Sequence, residues 1–164
     1  MHDPNFERAV VLLVQHSSQG ALGLVINRES PVRLGTVAGQ LDLTMAERAN
    51  RMVLWGGPVE KGAGFVIFRG EAPEGWNCSG GLSVSPSKER LASLIAAQTE
   101  FSLCLGYSGW GPGQLDQEVE VGSWVHVDAD PDVLFACDAA DRYDRALALL
   151  GVSAETLWMN PINE

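Results

Sequence analysis

Basic residues, cysteine pairs and long apolar runs are all in short supply in this chain of 164 residues. Eleven Lys and Arg stand against 21 Asp and Glu, a net charge of −10. Such a field repels a polyanion unless the few cations gather on one face, so direct nucleic-acid binding is disfavoured, as is docking on an anionic membrane. Solubility is the plainer meaning of the charge. The three cysteines, Cys78, Cys104 and Cys137, show no C-x-x-C spacing and cannot all pair within one chain, which fits reduced thiols and a cytoplasmic setting. No run of about 18 apolar residues offers a membrane span, and the segment from Met1 to Arg8 has neither the basic nor the apolar part of a secretory signal. His2, His16 and His126 form no ligand pair with one another or with the cysteines at helical or knuckle spacing, so neither a metal nor a cofactor is expected. Internal repeats and linkers are absent too, leaving one domain over residues 1–164.

What is present is a succession of short elements. Asp3-Pro4-Asn5-Phe6 is a turn-like opening. Arg8 to Gln15 is an aliphatic run suited to a strand buried on both faces, followed by turn chemistry from His16 to Gly20 and a second strand from Ala21 to Asn27. Gly23, inside that strand, marks a bulge or a close approach of backbone. Leu34, Val37, Ala38 and Leu41 give one helical face; Arg51 to Trp55 and Phe65 to Phe68 read as strands. Glu71 to Gly81 has the composition of a mobile surface loop. Ser85-Pro86 is a helix start with Leu91, Leu94, Ile95 and Gln98 on one face, and Phe101 to Tyr107 is again a strand. Gln114 to Val119 makes one or two helical turns, Trp124 to Val127 a strand, and Asp130-Pro131 a capped helix start. Ala140 to Leu150 is the clearest helix, with Tyr143, Ala146, Leu147 and Leu150 on one face and Gly151 as its stop. Paired strands early and interleaved helices later define an α+β fold with a mainly antiparallel or mixed sheet.

The most unusual stretch is Gly106-Tyr107-Ser108-Gly109-Trp110-Gly111-Pro112-Gly113-Gln114, with four glycines in eight residues. It matches the nucleophile elbow Gly-x-Ser-x-Gly until its last position, where Trp110 replaces glycine, and only His16 or His126 is placed to serve Ser108 as a base. Both histidines are better read as hydrogen-bonded structural residues, so no catalytic residue is assigned. The same stretch misses the dinucleotide fingerprint because Gln114 stands where its third glycine belongs. A glycine turn ahead of a helix can hold an anion, but the stronger reading is that these glycines let backbone pass close while Tyr107 and Trp110 fold over the core. Arg8, Arg28, Tyr107 and Gln114 are grouped as a hypothetical polar pocket; for Arg28 the plainer reading is an ion pair with Asp3 or Glu7.

These motifs together resemble the YqgE/AlgH family of largely uncharacterised small bacterial proteins. The resemblance is carried by Asp3-Pro4-Asn5-Phe6-Glu7-Arg8, by His16, by the run from Gly20 to Arg28, and by Gly56-Gly57-Pro58-Val59. It continues through Gly106 to Trp110, Gly113-Gln114-Leu115, Glu118, Trp124 and Leu134-Phe135 to Gly151, so it spans nearly the whole chain. It implies an α+β fold with a bent, forked sheet partly closed into a barrel, and no established reaction. Some members are labelled transcriptional regulators of exopolysaccharide synthesis; with no helix-turn-helix pattern and an acidic charge, any such effect here would be indirect. Members usually carry an apolar strand before the Asp-Pro motif, and here the sequence starts almost at the motif; the expectation is either a misassigned or truncated start or an open sheet edge available for homo-oligomer pairing. The first expectation for function is a non-enzymatic binding or regulatory protein whose partner is a protein or a small ligand. Its recognition surface would draw on Arg8, Arg28, Tyr107, Ser108, Trp110 and Gln114. The alternative is a small-molecule enzyme or sensor using a pocket near Tyr107, Ser108 and Arg28.

Overall fold

The computed structural model describes residues 7–150 and 157–159. Among these residues ten strands form one mixed sheet: β1 (Val10–Ser17), β2 (Gly20–Val25), β3 (Glu29–Arg33), β4 (Met52–Trp55), β5 (Val59–Arg69), β6 (Trp76–Asn77), β7 (Leu82–Ser85), β8 (Phe101–Trp110), β9 (Val125–Val127) and β10 (Leu157–Met159). Among the described residues five helices accompany them: α1 (Leu34–Gln40), α2 (Lys88–Ala97), α3 (Gln114–Glu120), α4 (Pro131–Phe135) and α5 (Arg142–Leu147). The order across the sheet is β6-β7-β5-β8-β2-β1-β10-β9, with β3 and β4 as a branch.

The spine is β8. Cys104 pairs with Phe65 of β5 on one edge and with Leu54 of β4, the parallel neighbour, on the other. A few residues on, Ser108, Gly109 and Trp110 pair with Gly23, Leu22 and Ala21 of β2. The edge that β4 leaves at Trp55 is thus taken over by β2, and the sheet forks there and bends until it nearly closes into a barrel.

Side-chain alternation explains why the aliphatic run at the start of the chain is continuous. Successive residues of a strand face opposite ways. Val10 and Leu12 enter one core with Leu24, Ile67, Tyr143 and Ala146, whereas Val11 and Leu13 enter another with Val25, Trp110 and Trp124. Both faces of β1 are therefore buried from Val10 to Leu13, as the aliphatic composition there implies. In the same way β5 sends Phe65 and Ile67 to the first core, and Val66 and Phe68 to a third core capped by Leu34 of α1 and by Leu91 and Leu94 of α2. Full burial of each such aliphatic side chain stabilises by about 1.5–3 kcal/mol, which is why chain direction and register are so tightly held. The β1–β2 hairpin forms as expected, with a register shift between Leu13 and Gln15. Gly23 meets the close-approach reading, since a Cβ there would lie 2.5 Å from Val11 Cγ1.

Several expectations need correction. His16 lies in β1, paired with Ala21, rather than in the turn. Glu71 to Gly81 is not a free loop: Trp76 and Asn77 pair with Val84 and Ser83. Asn77 Oδ1 accepts from the Ala72 amide at 3.0 Å and from the Ser83 hydroxyl at 2.8 Å, and Arg90 grips Glu74. Helix α2 is capped by Ser87, whose side chain accepts from the Arg90 amide, because Ser85 is held extended in β7 opposite Val66 and the following proline also disfavours helix there. The expected long helix from Ala140 reduces to Arg142–Leu147. It tightens at its end, where Leu149 and Leu150 donate to the carbonyls of Ala146 and Leu147, three residues back. The Asp3–Phe6 turn and the Gly151 stop lie outside the described residues.

Candidate ligand and partner surface

The glycine-rich stretch is mostly strand rather than loop, since β8 runs on to Trp110 and only Gly111, Pro112 and Gly113 turn the chain into α3. One of its glycines is demanded by the fork. Gly106 has φ 79°, and a Cβ on it would overlap the Gly57 carbonyl oxygen, while a Cβ on Gly56 would overlap the carbonyl of Gly106. Backbone here packs on backbone, with no room for a side chain. The Gly56 amide donates to the Leu105 carbonyl at 2.8 Å, and the Gly56 carbonyl accepts from the Val25 amide at 2.9 Å. Ser108 completes this node: fully buried, it donates its hydroxyl to the same Gly56 carbonyl at 3.1 Å. Gly56-Gly57 and Gly106-x-Ser108, fifty residues apart in sequence, are two halves of one joint.

Around the joint the remaining aromatics are fixed. Tyr107, on the opposite side of β8 from Ser108, meets Phe65 edge-on at 5.9 Å. Trp110 and Trp124 meet edge-on at 5.9 Å, and both indoles donate to Oε1 of Glu118, at 3.1 and 2.9 Å. Gln114 joins them, its amide donating to Glu118 Oε2 at 3.1 Å and its carbonyl accepting from the Gly111 amide at 2.9 Å. Glu118 is thereby the clamp that fastens α3 to the sheet. Neither indole is free to act as an anion donor at this helix start.

The six residues expected to share a surface divide into separate groups. Tyr107 and Trp110 line one groove of about 410 Å³ with Gln15, Ser17, Gln19 and Leu22 from the β1–β2 hairpin. Gln114 reaches Trp110 only through Glu118, and Ser108 is turned inward. Arg28 donates to the Glu7 carbonyl and lies 5.8 Å from the Trp55 ring, so its contact with Glu7 is to the backbone. Arg8 stacks on Tyr143 at 4.4 Å and approaches Asp144 at 3.9 Å. Neither arginine lines the groove. The hairpin residues Gln15, Ser17 and Gln19 were missed as candidates; the signal was the change in β1 from an aliphatic run to exposed polar residues at its end.

Ser108, Cys78 and Cys104 are withdrawn from chemistry. His16 pairs with Asp116 at 3.0 Å on the outer surface, away from the inward-facing Ser108 hydroxyl. Burial pushes the Cys104 thiol up to about 12 and that of Cys78 up to about 11, so neither supplies thiolate at neutral pH. Arg142, missed by sequence reasoning, is a buried cation whose burial lowers its pKa. It donates to the carbonyls of Ile26 at 2.6 Å, Leu134 at 2.8 Å and Cys137 at 3.2 Å, tying α4 and α5 to the end of β2. Among the described residues no helix is long and apolar enough to cross a membrane.

The fold and the joint define a small α+β protein built on a forked, nearly closed sheet, with a glycine-serine node in place of a catalytic elbow. The chain belongs to the AlgH-like family (DUF179), whose model matches residues 1–155. A UPF0301 protein of Burkholderia multivorans is 41% identical over 167 residues, covering 96% of this chain and 86% of the relative. One from Burkholderia mallei is 39% identical over 165 residues, covering 96% and 86%. The solution structure of the AlgH protein from Pseudomonas aeruginosa is similar with a TM-score of 0.77 and 37% identity, over 93% of this chain and 84% of that one. The crystal structure of protein DIP2367 from Corynebacterium diphtheriae shares the fold, with a TM-score of 0.70 and 21% identity over 88% and 78%. These relatives carry no enzymatic designation, and regulation attaches to the family by label alone.

Proposed function

We propose that this protein works by binding rather than by catalysis, receiving an extended segment of a protein partner in the groove formed by the β1–β2 hairpin and the distal half of β8. The observation that carries the reading is the state of Ser108. The residue in the elbow position has no exposed surface, and its hydroxyl donates to a backbone carbonyl. What faces outward beside it is a recognition surface. Gln15, Ser17 and Gln19 offer neutral donors and acceptors, and Tyr107 adds an aromatic face. Among the described residues no cation lines this groove, so neutral peptide amides suit it better than phosphate or carboxylate. Any effect on transcription is then indirect, through the partner, in keeping with the net charge of −10. A cytoplasmic setting belongs to the same reading, on the ground of three unpaired cysteines. So does self-association along β9, which ends the sheet among the described residues.

The test is native mass spectrometry of the protein purified from its own host, beside the Tyr107→Ala and Gln15→Ala variants. A protein-sized adduct that both variants lose, with circular dichroism unchanged, is the expected result. An adduct retained by both overturns the groove assignment. A small-molecule mass lost from Tyr107→Ala favours the sensor alternative.

A further inference from the structure

A second cavity, of about 590 Å³, shares no residue with the groove. It lies within the range of roughly 300–1,000 Å³ usual for small-molecule sites. One side is the segment 44–51 and the other the end of α2 and its connection to β8. Leu34, Leu94 and Phe101 are buried at its base, and Met45 and Ile95 are half-buried in its walls. Such a wall takes an aliphatic chain.

Among the described lining residues the cation is Arg51. Arg51 stands exposed where it lines the cavity, donating from Nη1 to the Ala49 carbonyl at 3.1 Å and from Nη2 to the Phe101 carbonyl at 2.8 Å. Its guanidinium lies 4.6 Å from the Phe101 ring. Arg8, Arg69 and Arg90 each meet a carboxylate, whereas among the described residues Arg51 has only carbonyls and a ring. Partial burial also lowers its pKa, as expected of a cation short of counter-charge. The two carbonyls hold the guanidinium in place while N–H groups remain for a further acceptor, and its planar fork suits a carboxylate.

We propose that this cavity takes a medium-chain aliphatic carboxylate, with its tail on Leu34, Leu94 and Ile95 and its carboxylate on the Arg51 guanidinium. The charge complementarity is local, since the molecule as a whole is acidic and does not collect anions by its net field. The site is separate from the partner groove and stands or falls independently of it.

The experiment titrates the full chain with octanoate, dodecanoate and octan-1-ol by calorimetry, while the Met45 methyl is followed by NMR. Saturable binding of at least one carboxylate with a shift at Met45 is expected, and octan-1-ol should bind about tenfold more weakly or worse, for want of the charge-assisted pair. Arg51→Met should lose about the same factor. Because Arg51 also supports the backbone, Ala46→Trp provides a second variant: Ala46 lines the cavity at an exposed position, and an indole there should block entry without disturbing the core. Absence of saturable carboxylate binding overturns the proposal, as does a Met45 methyl that stays unmoved. Undiminished affinity in folded Arg51→Met, or in Ala46→Trp, overturns it too.

Discussion

Replacing Gly106 by alanine tests the sheet joint directly. At φ 79° an alanine sits in the left-handed region, and its methyl would overlap the Gly57 carbonyl oxygen with the Val59 carbonyl only 3.3 Å away. The conformational penalty is about 1–2 kcal/mol, and forcing the strands apart adds about 1–3 kcal/mol, together about 2–5 kcal/mol. The obstacle is backbone on both sides, so no rotamer change relieves it. Against a total stability of about 5–15 kcal/mol this is a severe loss, and for a chain of this size the melting temperature should fall by roughly 5–20 °C. The comparison is Gly113→Ala, with a similar φ of 73° but no atom within 4 Å of its new methyl, which should show the conformational penalty alone. Urea unfolding of the two variants beside the parent gives the difference. If Gly106→Ala loses no more than Gly113→Ala, the backbone-on-backbone account of the motif is wrong.

Two other outcomes follow from the same contacts. Glu118→Ala leaves the buried indole N–H groups of Trp110 and Trp124 without their carboxylate acceptor and should cost about 2–5 kcal/mol, with a shift in tryptophan emission. Glu118→Gln, which keeps an oxygen for both indoles, should cost about 1 kcal/mol. Hydrogen bonds and charge from Arg90 hold the Glu74 carboxyl at about 2, below its ordinary 4.5. A depressed carboxylate contributes fully above its unfolded pKa and is lost as pH falls through the folded one. The Glu74–Arg90 tether should therefore be intact above pH 4.5 and release between 4.5 and about 2. Hydrogen exchange in the segment from Glu71 to Asn77 reads this out, and release already complete at pH 4.5 would contradict it.

Much of the fold could be read from local chemistry. The unbroken run Val10 to Leu13 required burial on both faces, and Gly23 signalled close backbone. Asp130 with Pro131 marked a helix start that the structure keeps, Asp130 accepting from the Asp132 amide. Errors arose where a long-range pairing overrode a local signal. Ser85 looked like a helix cap until Val66 held it in β7, and Glu71 to Gly81 looked loose until Asn77 stitched it to Ser83 and Ala72. The candidate site suffered in the same way. Gly106 to Gly113 looked like one loop because glycine suits both a turn and a crowded strand crossing, and composition does not distinguish them.

By itself the sequence determined the class of fold, the family and the acidic character, because these rest on composition, alternation and strings of residues read along the chain. It also determined that the glycine stretch would not be an ordinary elbow, since Trp110 occupies the closing position. Only the tertiary structure decided what that stretch is for. It set Gly56 and Gly57 against Gly106, turned Ser108 inward, and gathered two indoles on Glu118. It likewise left Arg51 beside a partly apolar cavity with no carboxylate among the described residues to meet it. The physical reason is that a side chain's role depends on which partner satisfies it. For Ser108 the partner is the Gly56 carbonyl, 52 residues away in sequence, brought near only when the sheet closes.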